Sequence, residues 1–124
     1  TRRLVILQEL QTAYFAISKK DLKKYDSQTG DTEGLVNYAL SLDGIKLAAL
    51  FTERKDGVKI SFRTAEDVAI NKFAAQYFDG GGHKNASGGK STLSLAETTE
   101  KFEKLVKENK QTLFNQLELI NEKN

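Results

Sequence analysis

The residues from 80 to 89 combine a run of glycines with the only histidine of the chain. The run reads Gly-Gly-Gly-His-Lys-Asn-Ala-Ser-Gly-Gly and holds five of the nine glycines. Ordering so much glycine costs conformational entropy, so a compact domain uses it where bare backbone must approach a ligand. Clustered backbone N–H groups bind phosphate, and His83 can add a hydrogen bond or a positive charge. The run predicts a phosphate-binding loop at Gly80, Gly81, Gly82 and His83; the alternative is a flexible turn.

Three further residues can contact such a phosphate. Arg63 ends an alternating segment and can clamp a terminal phosphate with its planar guanidinium. The alternative for Arg63 is a surface ion pair with Glu66 or Asp67. Lys84 can contact a backbone phosphate, or it is simply solvated. The Ser87 hydroxyl can touch the ligand, but capping the turn or packing is the alternative that we favour.

Aromatic and acidic residues near the run are harder to assign. Phe62, Tyr77 and Phe78 could stack on a base, but we expect Phe62 and Phe78 to belong to the core. Asp79 directly precedes the glycines. Because a carboxylate repels phosphate, Asp79 is expected either to point away from the site or to weaken binding.

Composition narrows the class of protein. The chain has 124 residues, of which 39% are hydrophobic and 29% charged, as in a soluble globular domain. A net charge of +2 is too small for nonspecific electrostatic binding to nucleic acid, so any anion binding must be local. The absence of cysteine excludes disulfides and thiolate metal sites. With no signal-peptide pattern and no membrane-spanning apolar run, we expect a cytoplasmic protein without membrane contact.

Strand and helix signals alternate along the chain and predict an α/β fold. The expected architecture is a single domain with a mixed β-sheet of about five strands and flanking α-helices. A nearly continuous apolar run over 45–53, a turn at 55–57 and an alternating run over 58–63 predict a hairpin with a central strand. Further strands are predicted over 13–17 and 90–93.

Helix signals come mainly from capping residues. Residues 4–10 are predicted to be helical, Ser18 to cap a short helix, and Asp31 or Thr32 to cap the next one, which stops near Gly44. Thr64 is expected to cap a helix over 65–78. The Ser94–Glu97 pair predicts a capping box that opens a long amphipathic helix. The apolar face of that helix is expected to hold Phe102, Leu105, Val106, Leu113, Leu117 and Ile120.

The order of these motifs resembles the C-terminal domain of the DHH phosphoesterase superfamily. The matching residues are Ser61-Phe62-Arg63, then Asp67-Val68 and Phe78, then the run from Gly80 to Gly88, with the segment 31–37 ahead of the hairpin. The resemblance extends from about residue 13 to 105. Within the superfamily, the chain is most similar to enzymes that degrade nanoRNA and cleave phosphoadenosine phosphate, a group related to exopolyphosphatases.

The resemblance implies a division of labour between two domains. In the superfamily, an N-terminal domain with an Asp-His-His triplet holds two divalent cations, usually manganese, and the C-terminal domain binds the substrate phosphate on its glycine loop. This chain has no such triplet and a single histidine. We therefore expect residues 1–124 to be a substrate-binding fragment that binds no metal or other cofactor, is inactive alone, and lacks its DHH domain. Its expected ligand is a short oligonucleotide or nucleotide phosphate.

Two alternatives from other classes remain open. A related domain closes alanyl-tRNA synthetases and serves RNA binding, so this chain could be a stand-alone RNA-binding module. It could also be a dimerising domain that uses its long C-terminal helix. The sequence does not distinguish nanoRNA, phosphoadenosine phosphate, cyclic dinucleotides and polyphosphate as ligands, and it does not fix the oligomeric state.

Overall fold

The computed structural model describes residues 3–28 and 32–115. The strands in these ranges form one six-stranded sheet in the order β1-β2-β3-β4-β6-β5, and five α-helices pack against it. The expected α/β fold with a mixed sheet is confirmed. The strands are β1 (Arg3–Leu7), β2 (Thr12–Ile17), β3 (Leu47–Arg54), β4 (Gly57–Thr64), β5 (Gly81–His83) and β6 (Ala86–Ser91). The helices are α1 (Lys19–Gln28), α2 (Glu33–Ser41), α3 (Asn71–Phe78), α4 (Leu95–Glu108) and α5 (Lys110–Phe114).

The centre of the sheet is the hairpin that the sequence predicts. β3 and β4 pair antiparallel from Leu47↔Thr64 to Arg54↔Gly57, so Lys55 and Asp56 form the turn. Only β2 and β3 are parallel among the described strand pairs, and α1 and α2 make the crossover between them. This arrangement is that of a mixed sheet with helices on both faces.

Each face of the sheet carries its own core. On one face, Phe51, Ile60 and Phe62 pack with residues of α3, α4 and α5. On the other face, Phe15 and Leu50 pack with α1 and α2. The alternation along β4 decides which side chains reach which face: Val58, Ile60 and Phe62 are buried in the first core, and Lys59, Ser61 and Arg63 lie on the second face. The predicted polar face of β4 is therefore confirmed.

Two predicted caps are present. The Ser18 hydroxyl accepts a hydrogen bond from the Asp21 amide at 3.2 Å and so caps α1. Ser94 and Glu97 form the expected capping box at the start of α4. Thr32 stands at the N-cap of α2, but its side chain makes no capping bond, and Asp31 lies outside the described residues.

The predicted N-terminal helix is wrong. Residues 3–7 form β1, which pairs antiparallel with β2, and residues 8–10 form a short 3₁₀ helix. Gln11 then adopts a left-handed conformation with φ of 51° and turns the chain into β2. The apolar run fits either helix or strand by its pattern, and pairing with β2 decides between them.

The helix before the glycine run is shorter than predicted. α3 begins at Asn71, and residues 65–70 are irregular. Thr64 does not cap a helix; it ends β4, and its hydroxyl donates to the Val68 carbonyl at 2.6 Å. The prediction failed because a Thr-x-x-Asp pattern also suits a turn in which side chains bond to local backbone.

The C-terminal helix is interrupted. α4 ends at Glu108 and α5 follows from Lys110, with Asn109 between them. The predicted apolar residues Phe102, Val106 and Leu113 are buried, and Leu105 packs partly against the same core. Leu117 and Ile120 lie outside the described residues. Within residues 3–28 and 32–115, no helix has the length and apolar composition to cross a membrane.

Candidate functional site

The glycine run forms a β-hairpin and not a loop. β5 and the start of β6 pair antiparallel, with Lys84 and Asn85 in the turn between them. The predicted strand over 90–93 is therefore wrong, because β6 is already formed from Ala86 and ends at Ser91. Successive N–H groups of a strand point in opposite directions. The amides of Gly81 and Gly82 in β5 therefore diverge, and the Gly80 amide donates to the Ala74 carbonyl at 3.1 Å, so these three N–H groups do not converge on one anion as a loop would allow.

The hairpin brings His83 into line with Arg63. Ala86 of β6 pairs with Arg63 on one side and with His83 on the other. Residues directly opposite in a sheet point to the same face, so these three side chains share one row. Two strand spacings separate the Arg63 and His83 backbones, which is about 10 Å. A guanidinium and an imidazole thus belong to side chains that leave the same face of the sheet on either side of Ala86.

The next row of the sheet is bare backbone. Ser61, Gly88 and Gly81 lie opposite one another, two residues along from the Arg63 row. A Cβ atom on Gly81 would have nothing within 4 Å, and one on Gly88 would meet only the Ile60 carbonyl oxygen at 3.5 Å. The space above these two glycines is empty. A ligand can therefore lie flat against the backbone beside Arg63 and His83.

We call this surface the open face. It is the part of β4, β6 and β5 that α1 and α2 leave uncovered on the second side of the sheet. Its side chains and glycines are Lys59, Ser61, Arg63, Gly81, His83, Ala86, Gly88 and Lys90.

Arg63 is held in place by two contacts. One terminal nitrogen donates to the Phe62 carbonyl oxygen at 2.8 Å, and the other donates to the Glu33 carboxylate at 2.5 Å. The ion-pair partner is thus Glu33 of α2, and not Glu66 or Asp67 as the sequence had indicated. The Arg63 side chain remains 25% exposed. A guanidinium has five N–H donors, so these two contacts leave most of its donor capacity for a ligand.

A second pair of cations extends the open face. Lys59 of β4 lies directly opposite Lys90 of β6, and both are exposed. Like charges at opposed positions destabilise a sheet. Asp79 offsets part of this repulsion, because its carboxylate lies 3.6 Å from the Lys90 ammonium. This contact gives the exposed Asp79 side chain a partner other than the ligand.

Asp79 also ends α3. Its backbone is left-handed with φ of 50°, and it occupies the C-cap position. Asparagine and glycine are the usual residues there. Gly80 follows, where a Cβ atom would come within 2.0 Å of the Gly88 carbonyl oxygen. Gly80 therefore has a structural reason to be glycine. Gly81 has another in its φ of 154°, and the empty space beside it leaves room for a ligand.

Hydrogen bonds hold the tip of the hairpin against the segment 65–70. The Asn85 amide nitrogen lies 2.8 Å from the Ala65 carbonyl oxygen and 3.0 Å from that of Val68. The Ile70 amide donates to the Lys84 carbonyl at 2.9 Å. Ser87 is buried, and its hydroxyl donates to the His83 carbonyl at 2.7 Å. It therefore packs inside the turn, which is the alternative that we favoured from the sequence. These bonds fix the backbone that carries His83.

Lys84 is exposed at the hairpin tip, beside Asp67. Asp67 accepts a hydrogen bond from the Lys46 ammonium at 2.5 Å, and this bond holds the pKa of the Asp67 carboxyl below its ordinary value. The charge of Lys84 acts on that pKa in the same direction. Lys84 thus sits between the open face and an acidic neighbour.

The aromatic residues divide as expected. Phe62 and Phe78 are fully buried and pack against each other with ring centroids 5.8 Å apart. Tyr77 is half-buried, and its hydroxyl donates to the Asn109 side chain at 3.3 Å. None of these three rings reaches the open face, because they belong to the core on the other side of the sheet.

A separate cavity of about 370 Å³ opens on that other side, between α3 and α5. Phe73, Tyr77, Lys72, Asn109 and Leu113 line it, together with Lys84 from the hairpin tip. It contains neither Arg63 nor His83. Of the phosphate-binding residues nominated from the sequence, only Lys84 lines this cavity.

The described residues do not form a metal centre. Within residues 3–28 and 32–115, no three histidine, aspartate or glutamate side chains come together. The single histidine, on the open face, pairs with Ala86 in the sheet and shares a row with Arg63. A divalent cation therefore has no fitting site among these residues.

Sequence reasoning missed several parts of the site. Lys59, Lys90 and Ser61 were not nominated, although the alternation of β4 already placed Lys59 and Ser61 beside Arg63. Asn85 was not nominated either. Glu33 gave no signal, because its contact with Arg63 joins residues 30 positions apart.

Comparisons with known proteins agree on one family. Residues 9–114 match the family model of the DHHA1 domain. The chain is 34% identical over 94 residues to the "Probable bifunctional oligoribonuclease and PAP phosphatase NrnA" of Streptococcus mutans. That alignment covers 75% of this chain and 29% of the relative, so the chain spans less than a third of that protein.

Solved structures give the same picture. An exopolyphosphatase-related protein from Bacteroides fragilis superposes with a TM-score of 0.81 and 31% identity, over 89% of this chain and 32% of that one. A pGpG-specific phosphodiesterase, PggH from Vibrio cholerae, has a TM-score of 0.54 at 15% identity, over 85% of this chain and 34% of that one. The second likeness concerns the fold alone.

Proposed function

Since this chain belongs to the DHHA1 domain family, we propose that it is the substrate-binding domain of a two-domain phosphoesterase. Its ligand is a short oligonucleotide or a related nucleotide, in the class that includes nanoRNA and phosphoadenosine phosphate. The phosphate lies on the open face between Arg63 and His83. The name of the relative from Streptococcus mutans, an oligoribonuclease and PAP phosphatase, supports this substrate class.

One observation carries the proposal. Arg63 and His83 share a row of the sheet, and the adjoining row is bare at Gly81 and Gly88. Two cationic or hydrogen-bonding groups thus stand in one row beside two glycines that carry no side chains. Such a strip suits a flat, anionic ligand that needs close approach to the protein.

The residues have distinct roles in this account. Arg63 binds phosphate oxygens with its planar fork, and His83 donates a hydrogen bond or a positive charge from the facing strand. Gly81 and Gly88 admit the ligand, while Lys59 and Lys90 add positive potential along its path. Gly80 and Gly82 shape the hairpin, and Ser87 fixes its turn.

Hydrolysis requires a second domain in this proposal. A DHH domain elsewhere in the parent protein would hold the metal ions, expected to be manganese, and the chemistry that such ions would supply is the activation of water. This chain contributes orientation: it holds the phosphate while the other domain reacts with it. A cytoplasmic location belongs to the same proposal.

Calorimetric titration of this chain with three ligands tests the proposal. The ligands are a 5′-phosphorylated dinucleotide, the same dinucleotide without its 5′-phosphate, and an RNA of about 20 nucleotides. We expect the phosphorylated dinucleotide to bind with a dissociation constant of about 1 mM and the unphosphorylated one at least tenfold more weakly. Arg63→Lys and His83→Ala should remove this preference, and Lys55→Ala, which deletes an exposed cation from the distant β3–β4 turn, should not.

The same titration distinguishes the RNA-binding alternative. A module that reads RNA shape would bind the long RNA and lose the dinucleotide, whether or not it is phosphorylated. Tight binding of the long RNA that persists in Arg63→Lys and His83→Ala would overturn the proposal.

A further inference from the structure

Glu33 lies at the border of the open face, and the phosphate-binding proposal leaves its presence there unexplained. It is an acidic side chain in the first turn of α2, and its carboxylate lies 2.5 Å from an Arg63 terminal nitrogen. An anionic group next to a phosphate-binding arginine repels the ligand. Its presence there calls for a compensating benefit.

The benefit lies in the geometry of the guanidinium. Arg63 is fixed at both terminal nitrogens, by the Phe62 carbonyl oxygen on one and by Glu33 on the other. These two bonds lock the rotation of a long side chain that would otherwise lose entropy on binding. Three of the five N–H donors of the guanidinium remain free of these two bonds and can still donate to a ligand.

The helix that carries Glu33 is firmly packed. α2 is anchored by Val36 and Ala39, both fully buried against the sheet. The Glu33 side chain is 55% exposed, and the helix dipole favours its carboxylate in the first turn. The helix thus places a carboxylate at the edge of the open face, where it bonds to Arg63.

We propose that Glu33 is a positioning residue, which acts through Arg63 and presets the guanidinium for the ligand phosphate. This inference rests on the proposed function, because it assumes that Arg63 binds the phosphate. In this proposal α2 contributes to ligand binding indirectly, because it contacts Arg63 and not the ligand.

The test compares Glu33→Ala with Glu33→Gln, using the 5′-phosphorylated dinucleotide as the probe. Glutamine keeps a side-chain oxygen that accepts from Arg63, whereas alanine does not. We expect Glu33→Ala to weaken binding by about threefold to fivefold, as for a partly exposed ion pair. Glu33→Gln should bind at least as well as the wild type, because it keeps the hydrogen bond and removes the repulsion. Glu66→Gln removes an exposed carboxylate that does not contact Arg63 and should change nothing.

A double-mutant cycle shows whether Glu33 acts through Arg63. In an Arg63→Ala background, Glu33→Ala should have no further effect on affinity. A structural role of Glu33 would instead give the same loss in both backgrounds. Side-chain NMR signals of Arg63 provide a direct readout, since the release of the guanidinium in Glu33→Ala should speed the rotation of its terminal nitrogens.

The outcomes separate this inference from the proposed function. If the wild type shows no preference for the phosphorylated dinucleotide and Arg63→Ala changes nothing, the proposed function itself fails. If Arg63→Ala weakens binding but Glu33→Ala tightens it, Glu33 competes with the ligand and the positioning role is overturned. An unchanged affinity in Glu33→Ala would overturn it equally.

Discussion

Thr64 and Asn85 are joined by two hydrogen bonds that run in opposite directions. The Thr64 amide donates to the Asn85 carbonyl at 3.1 Å, and the Asn85 side-chain amide donates to the Thr64 hydroxyl oxygen at 3.0 Å. The first residue ends the strand that carries Arg63, and the second forms the turn next to His83. The pair therefore ties together the two strands on which the candidate site depends.

Replacing Asn85 by alanine should loosen this connection. The side-chain amide also contacts the carbonyl oxygens of Ala65 and Val68, so the substitution leaves several acceptors without their donor. We expect the free energy of unfolding to fall by about 1–3 kcal/mol, measured by urea denaturation. Amide hydrogen exchange in residues 65–70 should accelerate. Lys84→Ala, in the same turn but exposed, is the control, and an equal loss in both variants would contradict the role of Asn85.

Gly88→Ala separates ligand binding from stability. The added methyl group would meet only the Ile60 carbonyl oxygen at 3.5 Å, an ordinary contact, so the fold should tolerate it within about 0.5 kcal/mol. The same methyl group would stand in the path of a ligand on the open face. We expect affinity for the phosphorylated dinucleotide to fall by about tenfold or more, as measured by calorimetry.

Gly89→Ala is the matched control for that experiment. Its methyl group would point to the opposite face, 2.9 Å from the Phe78 Cβ atom and 3.1 Å from the Phe78 carbonyl oxygen. This variant should lose about 1–3 kcal/mol of stability through overpacking. Gly88→Ala with full affinity would show that the ligand does not use the open face.

Replacing Ser94 should destabilise the protein, because Ser94 is the N-cap of α4. The hydroxyl accepts from the Glu97 amide at 3.1 Å, and its removal in Ser94→Ala should cost about 1 kcal/mol of unfolding free energy. Thr92→Ala, two positions earlier and exposed, should cost much less. Thermal or urea unfolding of the three proteins measures the difference, and equal stability of both variants would contradict the cap.

Glu97 gives the same box a pH dependence. Its carboxyl accepts a hydrogen bond from the Ser94 amide, which holds the pKa of Glu97 below its ordinary value. A carboxyl with a lowered folded-state pKa stabilises the protein above its unfolded-state pKa, and that stabilisation is lost as pH falls through the folded-state pKa. The stability difference between wild type and Glu97→Gln should therefore shrink between neutral pH and about pH 3. A difference that stays constant over this range would contradict the prediction.

The sequence predicted elements whose signals are local. The turn at Lys55 and Asp56 and the Ser94 cap depend on neighbouring residues, and both are present. The glycine run was read as a loop because glycine disfavours strands. Its strand state comes from pairing with β4, which is more than 20 positions away at Arg63↔Ala86.

The sequence also predicted only part of the candidate site. Arg63 and His83 were nominated from their types and from the resemblance, and the sheet register brings them into one row. Glu33 and Lys90 could not be nominated, because each gains its place through a strand or helix distant in sequence. Lys59 was predictable from the alternation of β4 and was overlooked.

The most direct test is to map where the ligand binds. Two-dimensional ¹H–¹⁵N NMR spectra of this chain, recorded while 5′-phosphorylated dinucleotide is added, report on every backbone amide and on the Arg63 side chain. The account predicts shifts at Arg63, His83 and residues 80–89 that disappear in His83→Ala. Shifts confined to Phe73, Tyr77 and Leu113, around the cavity between α3 and α5, would contradict the claim that the phosphate lies on the open face.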